Sequence, residues 1–337
     1  MADLVAVFLF IGVVAYCVLG GADFGAGFWD LIAGGARQGR APRHLIDESL
    51  APVWEANHTW LIYCLVMLWS GFPTALAAMT STLYLPLGFA ALGIVLRGAG
   101  FAFRKASIRT PEQRVYGAAF ALSSVLTPYC FGSVAGALAS GRVPTQGNGD
   151  AVSSWLNPTS ALGGVLAVLV CAYLAAAYLT VAARGHGDPD LFRYFRSRAL
   201  AAGAVTGAVS IAGIFVLRAD APRLFHQLSH RSLPLVVLAA LCGLLGLGLL
   251  RAERTRGLRM VAAAAVALIV CGWGVSQYPY LLGTHLTVQD AASPDGTLWV
   301  LVGVACVAGA VILPSLVLLF RVMERDGGAD RVGSETP

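Results

Sequence analysis

The chain has 337 residues, of which 57% are hydrophobic and only 12% charged, with a mean hydropathy of +0.73, against roughly 25% charged residues in an average soluble domain. That composition excludes a water-soluble enzyme or a nucleic-acid-binding module and makes lipid the solvent. The formal net charge of +5 comes from 22 Arg and a single Lys, Lys105, against 18 acidic residues, so its placement carries more information than its size.

Apolar runs of about 20 residues recur from end to end, each long enough to cross a hydrocarbon core of about 30 Å as a helix. Breaking the sequence at charged and Pro/Gly-rich stretches predicts nine spans, near 3–32, 48–76, 80–103, 114–139, 160–183, 199–218, 233–250, 258–277 and 297–321. The first follows Met1-Ala2-Asp3 without a basic n-region or a small-residue cleavage site, and reads as a retained helix rather than a signal peptide. The expected fold is an all-α integral membrane protein in which residues 1–323 form one polytopic domain. Eight of the spans suit two four-helix bundles, with the ninth peripheral. Residues 324–337, rich in charge and Gly, read as a disordered tail.

Loop charge sets the orientation. Arg37, Arg40 and Arg43 lie in the first loop, Arg104, Lys105, Arg109 and Arg114 in the third, Arg184, Arg193, Arg196 and Arg198 in the fifth, Arg251, Arg254, Arg256 and Arg259 in the seventh, and Arg321, Arg325 and Arg331 in the tail. The even loops carry only Arg142, Arg218, Arg223 and Arg231. The odd loops and the C-terminus are therefore expected in the cytoplasm and the N-terminus outside. Seven cysteines fall one per apolar segment without CxxC or Cys/His pairs, as small buried hydrophobes do.

Ionisable residues inside spans cost roughly 2.5–3.5 kcal/mol each on the insertion scale, which makes each a candidate for function. Asp23 sits in Gly20-Gly21-Ala22-Asp23-Phe24-Gly25-Ala26-Gly27. Gly21 and Gly25 have small-xxx-small spacing, which lets another backbone approach closely, so Asp23 is expected to face protein or water; a packing face with one interhelical hydrogen bond is the competing reading. Asp30, two turns on, reads as an interfacial charge. The second span opens on Ala51-Pro52-Val53-Trp54-Glu55-Ala56-Asn57-His58-Thr59-Trp60. Glu48 and Glu55, seven apart, would line one helix face as a proton-uptake file, or else pair with Arg43 or Arg97 at the surface. Arg97 either pairs with Glu55 or Asp23 or snorkels to headgroups. Trp54 and Trp60 are equally readable as interfacial aromatics. Apart from His58, the histidines lie in loops, whereas a haem-bearing subunit offers a ligand inside a span. No phosphate-binding loop, zinc motif or nucleophile elbow is present.

Three ordered motifs, Gly-Gly-Ala-Asp23-Phe-Gly-Ala-Gly, Ala51-Pro-Val-Trp-Glu55-Ala-Asn57-His-Thr-Trp60 and Arg97-Gly-Ala-Gly-Phe-Ala-Phe-Arg104, resemble subunit II of cytochrome bd-type quinol oxidases over residues 10–105. The resemblance implies a haem-free subunit that stabilises subunit I, where haems b and d reside, in a heterodimer reducing O2 to water with quinol, menaquinol being the quinone that the composition suits. It implies a cytoplasmic proton route through Asp23, Glu55, Glu48 and Asn57. Trp54, Trp60 and Arg97 become contacts to subunit I or its haem propionates, and Gly21 and Gly25 helix-packing positions. A structural quinone or lipid and a small accessory transmembrane subunit are further expected partners, in a bacterial cytoplasmic membrane. The resemblance meets one departure, Glu55 at a position that is Asp in some members. The alternative is a proton-coupled secondary transporter with a broken helix at Gly20–Gly27, although no second Gly-interrupted helix answers it in the other half.

Overall fold

The computed structural model describes the backbone of residues 1–35, 37–50, 54–106 and 110–333, and omits the side chains of 50, 54–56, 104–106, 110–114, 312–313, 316–317 and 319–333. Among the described residues, twelve helical segments run in chain order as α1 (Ala2–Leu31), α2 (Arg40–Leu50), α3 (Trp54–Gly71), α4 (Pro73–Thr82), α5 (Tyr84–Ala106), α6 (Thr110–Ala139), α7 (Pro158–Gly185), α8 (Pro189–Asp220), α9 (Pro222–His230), α10 (Leu233–Arg251), α11 (Leu258–Gln277) and α12 (Asp295–Gly333). A two-stranded antiparallel ribbon, β1 (Tyr280–Leu282) and β2 (Leu286–Thr287), precedes α12.

Helix starts follow local chemistry. Asn157 accepts from the Ser160 amide before Pro158 opens α7, and Asp188 accepts from the Asp190 and Leu191 amides before Pro189 opens α8. In both, a side-chain oxygen takes up an orphan amide while Pro occupies a position that needs none.

Among the described residues, seven helices are long and apolar enough to cross a membrane, and α3 with α4 makes an eighth if the bent pair counts as one span. The expected helix over 48–76 is corrected at its C-terminal end. At its start, residues 40–50 form α2, in which Arg40-Ala-Pro-Arg-His-Leu-Ile-Asp-Glu-Ser-Leu50 is amphipathic and charged rather than apolar, and the junction at 51–53 lies outside the described residues. At the other end the chain turns by 114° between α3 and α4. Pro73 cannot donate the amide that would continue α3, and Phe72, 0% exposed, is buried at the corner. The apolar part of α12 described with side chains, Asp295–Val311, is shorter than a span.

α1, α3, α5 and α6 pack together, as do α7, α8, α10 and α11, while α12 lies against α1 and α3. The two groups join where α1 and α6 both cross α7. Packing there is close: a Cβ on Gly25 would strike the Cys171 carbonyl, and one on Gly132 the Gly163 carbonyl. Two apolar clusters fill the interior, one around Ala22, Trp29, Leu174 and Phe195, the other around Val5, Phe72, Ala137 and Leu298. α1 is continuous through Gly20–Gly27, so the broken helix that a transporter site would need is absent there.

Candidate functional site: a buried ion pair beside the α1–α7 crossing

Asp23 lies eight residues from the C-terminal end of α1, about 12 Å along its axis. It is 3% exposed. Glycines on either side let α7 close over this turn: Gly21 meets the Leu174 side chain, and Gly25 meets the Cys171 carbonyl and the Ala175 methyl. The Trp29 indole donates to the Ala172 carbonyl at 2.7 Å, fixing the same crossing two turns along.

Into this dry corner α5 delivers Arg97, 2% exposed. Its Nη2 donates to Asp23 Oδ1 at 2.6 Å and to the Asp23 carbonyl at 2.9 Å, and its Nη1 donates to Ser124 Oγ of α6. The Ser124 hydroxyl donates in turn to the Phe120 carbonyl at 2.6 Å. The guanidinium lies 4.4 Å from the Phe120 ring centroid and 5.0 Å from that of Phe24, so its faces meet aromatic quadrupoles. Gly27 makes room for Ser124, since a Cβ there would overlap its hydroxyl. Three helices thus converge on one charge pair.

The satisfaction is incomplete. Asp23 Oδ2, Arg97 Nε and the Tyr16 hydroxyl, all buried, have no hydrogen-bond partner among the described residues. Tyr16 stands on α1 with its ring 6.3 Å from Phe24 and 6.1 Å from Phe131. Native interiors leave few such groups, so a concentration of them around one ion pair marks the region as polar beyond its direct contacts.

The other sequence-predicted residues are placed differently. Asn57 is 5% exposed and donates to the Leu19 carbonyl at 3.2 Å, pinning the start of α3 one turn before Asp23. Glu55 belongs to the first turn of α3 with its side chain outside the described set, as is that of Trp54. Trp60 is half-buried with its ring 6.2 Å from Tyr63. His58 lies 6.4 Å from Phe24, ring to ring. Glu48 sits on α2, exposed, with Oε1 3.1 Å from His186 Nε2 at the end of α7 and Oε2 3.7 Å from His44 Nδ1, and the stretch joining it to Glu55, 51–53, lies outside the described residues. Arg97 points inward, not toward a partner surface, because its counter-charge lies inside the chain. Asp30, expected at the interface, is 4% exposed and receives Arg43 Nε at 2.6 Å.

Two pairings escaped sequence reasoning. Arg43 reaches back to the Gly34 carbonyl as well as Asp30, closing the C-terminal end of α1. Arg142 forks onto Asp220 at 3.0 and 2.7 Å, and Asp220 Oδ2 also accepts from the Thr159 amide and hydroxyl. The side-chain hydrogen bond to Asp220 raises the Arg142 pKa. Partners 78 residues apart leave no local signal, although both sit beside helix ends.

The family described as cytochrome bd terminal oxidase subunit II matches residues 1–323. The chain is 27% identical over 324 residues to cytochrome bd ubiquinol oxidase subunit 2 of Bacillus subtilis, covering 93% of this chain and 90% of that protein. It is 23% identical over 350 residues to cytochrome bd-I ubiquinol oxidase subunit 2 of Escherichia coli K12, covering 90% of each. Its fold is similar to a chain of the bd oxidase from Geobacillus thermodenitrificans, with a TM-score of 0.76 and 24% identity over 95% of this chain and 98% of that one.

Proposed function

The chain belongs to the family of cytochrome bd terminal oxidase subunit II, and from that membership we propose that it is the haem-free subunit of a quinol:O2 oxidoreductase in the bacterial cytoplasmic membrane. Its partner is subunit I, which holds haems b and d and oxidises quinol, menaquinol in this case. A structural quinone or lipid, and a small accessory subunit, complete the assembly. The ninth span is α12, which leaves the N-terminus outside, and residues 324–337 form the cytoplasmic tail.

The buried Asp23–Arg97 pair with its unsatisfied neighbours carries the second half of the proposal, a proton route lined by this chain. Polar atoms at membrane depth cost free energy unless they serve a pathway or a partner. Here Asp23 Oδ2, Arg97 Nε and, two turns earlier on α1, Tyr16 Oη have acceptor and donor capacity that no described residue takes up. Asn57 holds the first turn of α3 against the turn of α1 that precedes Asp23, and Glu55 stands two residues earlier on that same turn. Glu48, exposed on α2 between two imidazoles, is the collecting group at the cytoplasmic surface. In this reading Arg97 fixes Asp23 and Glu55 carries the proton, since a carboxylate relay must accept and release a proton in turn.

The test is Glu55→Gln in the purified complex. Quinol oxidase turnover is expected to fall by about a hundredfold, the lower range of what a positioned proton carrier contributes, with haem content retained. Normal turnover at normal haem content would overturn the proton-route role.

A further inference from the structure

We propose that α9 presents a transition-metal site formed by His226 and His230, one that takes Zn2+ or Cu2+ at the membrane face bearing the N-terminus of α1. Two contacts fix that face: Arg231, next after α9, donates to the Tyr278 carbonyl at 2.6 Å, and the Tyr278 hydroxyl donates to Asp3 of α1 at 3.3 Å.

The two imidazoles are four residues apart on one face of α9, and both residues are exposed. Their rings are stacked, with centroids 4.2 Å apart and planes inclined by 17°. Two metal–nitrogen bonds of about 2.0–2.1 Å at a tetrahedral angle need nitrogens about 3.4 Å apart, and a metal lies in the plane of each ring, so the His226 ring must turn out of the stack until one of its nitrogens faces His230 Nε2 across the ion. The spacing is the one by which two histidines on a helix share a metal.

The tautomer is set as well. His230 Nδ1 lies 2.9 Å from the His226 carbonyl and 3.1 Å from Ser229 Oγ, whose own proton is directed to the Phe225 carbonyl at 2.8 Å. A carbonyl only accepts, so Nδ1 carries the proton and the lone pair of the neutral ring lies on Nε2. Metal-bound histidines are held in this way, by a hydrogen bond from the second nitrogen to a backbone carbonyl. Imidazole suits Zn2+, Cu2+ and Ni2+, with Cu2+ bound most strongly. Among the described residues no group of three or more His, Cys, Asp or Glu side chains could hold a metal, so water completes the coordination. The site draws on neither the Asp23 region nor the proton route.

The experiment is calorimetric titration of the whole complex, purified without a polyhistidine tag, with Cu2+ alone and with Zn2+ alone. Electron paramagnetic resonance of the Cu2+ form accompanies it. One equivalent should bind with hyperfine coupling from two imidazole nitrogens. His226→Ala and His230→Ala should each weaken that equivalent at least tenfold, with haem spectra unchanged because both side chains are exposed. Unaltered binding in the double variant, or coupling to fewer than two nitrogens, would overturn the site and leave an adventitious ion only.

Discussion

Two carboxylate–guanidinium pairs in this molecule have nearly the same length and opposite settings. Asp23–Arg97 closes at 2.6 Å with both side chains 4% exposed or less, whereas Arg142–Asp220 closes at 2.7 Å with side chains 31% and 17% exposed. Asp220 also has the Thr159 amide and hydroxyl to lean on. Asp23 has one oxygen with no partner among the described residues. Distance therefore says little about consequence. Inside, each partner's desolvation is tolerable only because the other is present; at the helix ends, water and neighbouring donors make up much of a loss.

The largest effect should come from breaking the inner pair. Arg97→Ala strands a buried carboxylate and is expected to cost about 3–5 kcal/mol, read as lost complex yield and earlier denaturation in detergent. The charge-neutral double variant Asp23→Asn/Arg97→Gln should recover part of that stability. If the double variant were no better than Arg97→Ala alone, stranded charge would not be the cause.

Next is the crossing that encloses the pair. Gly25→Val places a side chain on the Cys171 carbonyl and is expected to cost about 3 kcal/mol or more through overpacking. Gly243→Val, where a Cβ meets nothing within 4 Å, should leave stability close to that of the parent. Equal behaviour of the two would refute close α1–α7 contact.

At the outer pair, Arg142→Ala should cost only about 1–2 kcal/mol, detectable as a small shift in the denaturation midpoint without loss of assembly. Smallest of all is Asp150, whose carboxylate pKa is lowered because the Ser153 amide and hydroxyl and the Val152 amide donate to it. A lowered folded value contributes stability above the ordinary carboxylate range and loses it as pH falls through that value. Hydrogen exchange at residues 152–154 should keep its neutral-pH protection down to about pH 4 and lose it below, with the inner pair unaffected.

The inner region was legible in the sequence because its parts are expensive. Charge within an apolar run drew attention to Asp23 and Arg97, and glycines at spacing four announced a close helix neighbour. The partner of Arg97 could be narrowed to Asp23 or Glu55 but not chosen, since the choice depends on how α1 and α5 rotate about their axes. Ser124 carried no signal at all, being one of many hydroxyls on an apolar helix. The bend between α3 and α4 is hidden from hydropathy, which averages over Pro73 and sums the two helices into one span. Arg142–Asp220 was invisible for a different reason: loop charges were counted for orientation, and counting discards which ones meet.

The most direct test of the whole account is a reduced-minus-oxidised visible spectrum of the complex purified through a tag on this chain, with identification of the proteins that come with it. Bands of b- and d-type haem together with a larger haem-bearing partner are the predicted result. A colourless protein purifying alone would contradict its assignment as the second subunit of the oxidase.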